Sequence, residues 1–205
     1  MVEHKVEQRS DEWFNLKMGY ISPSRYPKLM KSPKQRTEWN ETQLDILRDI
    51  AAERITQERE ESYTSKAMQW GNDHEESALH LFQVQQFEEV RTTGFIKLNE
   101  WVGGSPDGII VRDGEDWGIA EVKCKMSKNH LLYLLDADEL KKAHGWQAIG
   151  YCHILGVRNY SLISYDPRFP DDRQIVIYSG VVTDEELVTL ENRLNDAIEK
   201  IKEWI

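Results

Sequence analysis

With two cysteines, Cys124 and Cys152, in 205 residues, the chain cannot build a disulfide framework, a four-cysteine zinc site or a four-thiolate iron–sulfur centre. No apolar run reaches the ~20 residues of a membrane span. The opening Met1-Val2-Glu3-His4-Lys5 is polar where a signal peptide needs an apolar stretch, so the expected location is the cytoplasm with no membrane partner. Positive charge is also scarce: 26 Lys and Arg against 36 Asp and Glu give a net charge of −10, which on totals alone argues against a phosphate-rich partner. What is present is a globular composition, 40% hydrophobic and 30% charged, with seven Trp, eight Tyr and five Phe. The length suits one domain over residues 1–205.

The charge is unevenly spread. Between Lys17 and Thr37 stand Lys17, Arg25, Lys28, Lys31, Lys34 and Arg36 with no acid among them, whereas Asp184 to Glu203 is strongly acidic. A basic face on an acidic body is therefore expected, and it is a candidate for nucleic-acid contact.

Ser10-Asp11-Glu12 opens a short helix that Gly19 ends, and Ser22-Pro23-Ser24 predicts a second start with Ser22 as N-cap. Asn40-Glu41-Thr42-Gln43 resembles a capping box ahead of Leu44, Leu47, Ala51 and Ile55, which share one helical face. A polar connection over Glu58–Lys66 precedes a helix from about Met68 to Gln86. Strands are expected over Val90–Leu98, Val102–Arg112 and Trp117–Cys124, the last two joined at Asp113-Gly114-Glu115-Asp116. A helix over Leu140–Leu155, strands over Tyr160–Tyr165 and Arg173–Val182, and a final helix capped by Thr183 complete the chain. The pattern is α/β, a central mixed β-sheet flanked by helices. The tryptophans are expected to pack in the core or at interfaces, the cysteines to be small buried residues, and the six histidines to hold no metal.

Side chains alternate along a strand, so in Ala120-Glu121-Val122-Lys123-Cys124 the carboxylate and the ammonium share one face while Val122 points into the core. The hairpin from Gly104-Ser105-Pro106-Asp107-Gly108 can bring Asp107 to Glu121. Two carboxylates with a lysine beside them suit a Mg²⁺ site with positions open to water and phosphate. Lys123 could orient or deprotonate the attacking water, or neutralise the pentavalent phosphate. A turn aspartate beside a surface ion pair accounts for the same spacing. Glu75 bears on the choice: Ala78, Leu79 and Phe82 follow it at three, four and seven residues, so it lies on the apolar side of its helix, where a carboxylate needs a cation or donors.

These residues resemble a known pattern. Ser105-Pro106-Asp107-Gly108 followed by Glu121-Val122-Lys123 is similar to the PD-(D/E)xK nucleases. Glu7 to Trp13 continuing through Leu16, Gly19, Ile21, Ser22 and Ser24, then Trp70-Gly71 with Glu75, and Gln147 with Tyr165-Asp166-Pro167-Arg168, resemble phage lambda exonuclease and related viral recombination exonucleases in block order from Glu7 to Phe169. The resemblance implies a restriction-endonuclease-like fold and a Mg²⁺-dependent enzyme, with Mn²⁺ able to substitute and two ions per site. Such an enzyme digests linear double-stranded DNA processively from 5′-phosphorylated ends, leaves a 3′ single strand, works as a toroidal homotrimer and partners a single-strand annealing protein. It implies Asp107, Glu121 and the Val122 carbonyl as metal ligands, Lys123 as catalytic lysine, and Glu75 and Gln147 as support, so that three acids and an amine surround the ion. Lys17, Ser24 and Ser105, with Ser22 at the same helix start, would hold the 5′-phosphate, and Met68 would split the terminal base pairs. Lys17 stands where the lambda enzyme has arginine, and His144 where it has tyrosine. An endonuclease or single-strand nuclease on the same fold, or a scaffold with a dead site, are the rival readings.

Overall fold

The computed structural model describes residues 1–31, 39–59 and 65–205. Lys34 and Arg36 of the basic run, and residues 60–64 of the connection expected over Glu58–Lys66, lie outside the described residues.

Five strands form the main sheet: β2 (Glu89–Arg91), β5 (Gly108–Arg112), β6 (Glu115–Lys123), β7 (Asn159–Tyr165) and β8 (Ile175–Val181), paired in that order. The β6–β7 pair is parallel and the others antiparallel, so the sheet is mixed. A smaller sheet joins β1 (Val2–His4), β3 (Phe95–Lys97) and β4 (Gly103–Gly104). β5 and β6 are joined by Asp113 and Gly114, both with positive φ (53° and 81°), the backbone that a two-residue hairpin turn requires.

Helices cover both faces of the main sheet. On one face α4 (Lys66–Gln86) lays Ala78, Leu79 and Phe82 against Ile110, Ala120, Val122 and Ile163. On the other, α6 (Asp138–Leu155) packs on Ile109, Ile119, Tyr160 and Leu162 and is backed by α2 (Tyr26–Leu29), α3 (Glu41–Thr56) and α7 (Asp184–Lys202). Both expected capping boxes are present, at Asn40 with Gln43 and at Thr183 with Glu186. Buried Gln43 also donates through Nε2 to the carbonyls of Leu29 (2.9 Å) and Lys31 (3.0 Å), tying α3 to α2.

The structure differs from the sequence reading in several places. The strand expected over Val90–Leu98 is two strands in different sheets, broken at Thr92-Thr93-Gly94. A Cβ on Gly94 would stand 2.3 Å from the His4 carbonyl oxygen, so the crossing of β1 dictates both the break and the glycine. Val102–Arg112 likewise divides into β4 and β5 around Pro106, which has no N–H for a ladder. A helix α5 (Ser127–Leu135), absent from the reading, precedes α6 in the crossover to β7. Ile55 is exposed, and Ile50 fills the α3 face in its place. Ser22 does not cap: its segment is a three-residue 3-10 turn, Pro23–Arg25, and its hydroxyl pairs with that of Ser24 at 2.8 Å. Among the described residues no helix is long and apolar enough to cross a membrane.

Candidate active site

β6 runs through the middle of the main sheet, and its C-terminal end opens into a cavity of about 480 Å³. Val122 is buried against α4. Glu121 and Lys123 lie on the opposite face, where Lys123 Nζ donates to Glu121 Oε1 at 2.6 Å and Gln147 Nε2 of α6 donates to the same oxygen at 2.5 Å. Asp107 precedes β5, and its Oδ2 accepts the N–H of Val122 at 2.8 Å. Glu75, on the inner side of α4, faces the same space. Lys17, Ser22, Ser24, Met68 and Ser105 line it too, so the expected phosphate-binding residues share one cavity with the acidic cluster.

The cluster is electrostatically strained. Burial, then the neighbouring Asp107, pushes Glu121 up to about 8, and the same two causes push Glu75 up to about 7. Asp107 is also raised by burial, although Lys123 and the Val122 N–H oppose the shift. Burial works against the Lys123 ammonium, but Glu121 and Asp107 outweigh it and its pKa is raised, so the group is protonated. Three carboxylates share this amine.

These residues fit a hard divalent cation. Among the described residues Glu121 Oε2 is buried with no hydrogen-bond partner, an arrangement that costs free energy unless a cation or donor meets it. Two carboxylates with a main-chain carbonyl form an oxygen donor set of the kind Mg²⁺ takes. The structure does not, however, gather three acids into a ready ligand set: among the described residues no three His, Cys, Asp or Glu side chains stand together in that way. Glu75 instead ion-pairs with Arg9.

Four neighbours went unassigned in the sequence. Gln8 Nε2 donates to the carbonyls of Thr93 (2.8 Å) and Pro106 (3.2 Å), fastening the N-terminal segment beside Asp107. Arg9 reaches Glu75 across the cavity mouth. Trp13, expected to be packing, donates through Nε1 to Ser105 Oγ at 2.8 Å and lies 4.1 Å from Lys17 Nζ, ring face to cation. Trp70 packs against the core beneath α4 as expected, but it also lines the cavity and carries the Arg168 guanidinium over its ring at 4.3 Å. Their only sequence signal was membership of the opening and second blocks. Arg25, by contrast, is drawn off to Glu53 and the Ile46 carbonyl, and Lys28 and Lys31 are exposed outside the cavity lining. His144 contacts the Tyr133 hydroxyl at 3.4 Å and is held at about 3 by burial, Lys123 and Lys125, so its ring is neutral.

The fold is shared with solved structures. An alkaline exonuclease (LHK-Exo) from Laribacter hongkongensis is similar with a TM-score of 0.82 at 22% identity, over 94% of this chain and 93% of that one, and LHK-Exo in complex with dAMP is equally similar. A phage-related exonuclease from Haemophilus somnus 129PT is similar with a TM-score of 0.74 at 19% identity, over 92% and 96% of the two chains. No curated protein sequence is significantly similar to the chain. Residues 12–158 match the YqaJ-like viral recombinase domain, most of the sequence and all of the acidic cluster, and the chain belongs to that family.

Proposed function

We propose that the chain, as one domain, is a deoxyribonuclease that digests linear double-stranded DNA processively from its 5′ ends, releases 5′-mononucleotides and leaves a 3′ single strand for recombination by annealing. The observation that carries the reading is the buried, partnerless Oε2 of Glu121 beside Asp107 and a protonated Lys123. Family membership and the likeness to exonucleases, one of them in complex with dAMP, support it.

Asp107, Glu121 and the Val122 carbonyl would hold Mg²⁺, or Mn²⁺ in its place, with two ions per site. When bound, the metal supplies a nucleophilic water at neutral pH and charge neutralisation at the phosphate. Gln147 fixes the rotamer of Glu121 through its 2.5 Å hydrogen bond. Lys123 places a positive charge next to the carboxylates and can neutralise the phosphate as negative charge builds on its oxygens. Lys17, Ser22, Ser24 and Ser105 line one flank of the cavity and suit a 5′-phosphate, with Trp13 positioning Ser105. Met68, 52% exposed in the first turn of α4, is placed to wedge between terminal bases. A toroidal homotrimer and a single-strand annealing partner belong to the same reading, and its setting is the cytoplasm of a bacterial host.

The test is product analysis. Linear duplexes with 5′-phosphate or 5′-hydroxyl ends and closed circular duplex are incubated with and without Mg²⁺. Mononucleotides from the linear forms alone, in Mg²⁺ alone, are expected; cleavage of the circle would overturn end dependence, and no cleavage of any substrate would overturn the nuclease reading.

A further inference from the structure

Arg9 has a backbone that does not suit it. Its φ of 72° lies in the left-handed region, where glycine is at ease and a side chain costs about 1 kcal/mol. Its neighbour Gln8 fixes the segment there by its bonds to the Thr93 and Pro106 carbonyls. An arginine held where the chain would favour glycine points to a use for the guanidinium, and its Nη2 donates to Glu75 Oε2, 66 residues away.

That pairing lies in the lining of a cavity whose three carboxylates, Glu75, Asp107 and Glu121, have Lys123 as their shared amine, with Lys17 and Lys125 elsewhere in the lining. Arg9 is the cation paired with Glu75 and its side chain is 42% exposed, so the guanidinium can turn to a solvent-borne anion without unfolding anything. Once a divalent ion offsets the acids, Glu75 no longer needs Arg9. A guanidinium fork matches phosphate as well as it matches carboxylate.

We propose that Arg9 is a latch: it caps Glu75 while the site is free of metal, and exchanges that carboxylate for a backbone phosphate of the DNA when metal and substrate enter. This deepens the nuclease reading and rests on it. Arg9 is thereby a phosphate-binding residue in the complex and a competitor of the metal before it.

The decisive variant is Arg9→Gly, which the left-handed backbone accepts, so folding is not put at risk. Mn²⁺ binding to the protein alone is measured by calorimetry for wild type, Arg9→Gly, Glu75→Gln and the double variant. Arg9→Gly is expected to bind Mn²⁺ about threefold to tenfold more tightly, as removal of a partly exposed competing charge implies. In the Glu75→Gln background most of that gain should vanish. Duplex affinity is then followed against salt in a Lys123→Ala background, which keeps the DNA intact; loss of one phosphate contact lowers the salt slope by about one. Unchanged Mn²⁺ affinity in Arg9→Gly, equal gains with and without Glu75, or an unchanged salt slope would each overturn the latch while leaving the nuclease reading standing. A wild-type protein that binds no Mn²⁺ at all would overturn both.

Discussion

Asp107 Oδ2 takes the main-chain N–H of Val122 at 2.8 Å, so a side chain occupies the place a strand carbonyl would hold one step beyond the Gly108–Ala120 pairing of β5 and β6. The carboxylate is thereby locked to the strand that bears Glu121 and Lys123. Motion of β6 therefore carries all three groups together.

The lock also makes Asp107 replaceable in shape. Asp107→Asn keeps an amide oxygen for the Val122 N–H while removing a charge that the fold disfavours, since burial raises its pKa. Digestion should be abolished, yet the metal-free protein should melt about 2–4 °C higher for each kcal/mol of relieved repulsion. A melting point below wild type in EDTA would show that the acids are not in conflict.

Raised carboxylate pKa values set a pH dependence of defined sign. Glu75 at about 7 and Glu121 at about 8 bind protons in the folded chain that the unfolded chain has already lost. The native state therefore holds the excess protons, and stability falls as pH rises from the ordinary carboxylate range through about 8. Thermal melts in EDTA should decline between pH 6.5 and 8, above the range where the neutral His144 opposes the trend and below that where Lys17 does, and Mg²⁺ should flatten the decline. A melting point that climbs over that interval in EDTA would contradict the assignment.

Gln147→Leu retains bulk in α6 but removes the donor to Glu121 Oε1. Loss of such an orienting partner typically lowers metal affinity by about tenfold to a hundredfold. A Mg²⁺ titration of digestion should shift by that amount, and a superimposable titration would remove Gln147 from the site.

Lys17 is held at about 8 by burial first and then by Arg25 and Arg59. Preference for 5′-phosphate over 5′-hydroxyl ends should accordingly weaken between pH 7.5 and 9 as its ammonium loses the proton. Lys17→Arg should keep the preference across that range, because guanidinium does not titrate there. Equal pH profiles for the two proteins would place the phosphate elsewhere.

The strands and helices with local signals were legible: the capping boxes at Asn40 and Thr183, the Asp113-Gly114 turn, and the alternation that sets Glu121 and Lys123 on one face. Convergence of Glu75, Asp107 and Gln147 on one cavity followed from the family pattern rather than from spacing. What escaped was non-local. The break at Gly94 depends on β1, some ninety residues earlier in the chain. Gln8 and Arg9 act on Pro106 and Glu75, 98 and 66 residues away, so no window of sequence contains both ends of either contact. The cap expected at Ser22 failed because its turn is too short and tight to offer helical N–H groups to that hydroxyl.

The alternation along β6 carries a consequence for how the sheet assembles. Ala120, Val122 and Cys124 face a largely apolar core with Ala78, Leu79, Phe82 and Ile163, while Ile119 turns to the opposite core, the face on which Glu121 and Lys123 meet Gln147. Sliding β6 by a single residue against β7 would thrust a carboxylate and an ammonium into the oily layer beneath α4. The groups proposed to hold the metal thus also specify strand alignment, because a shifted register would leave them buried and unpaired.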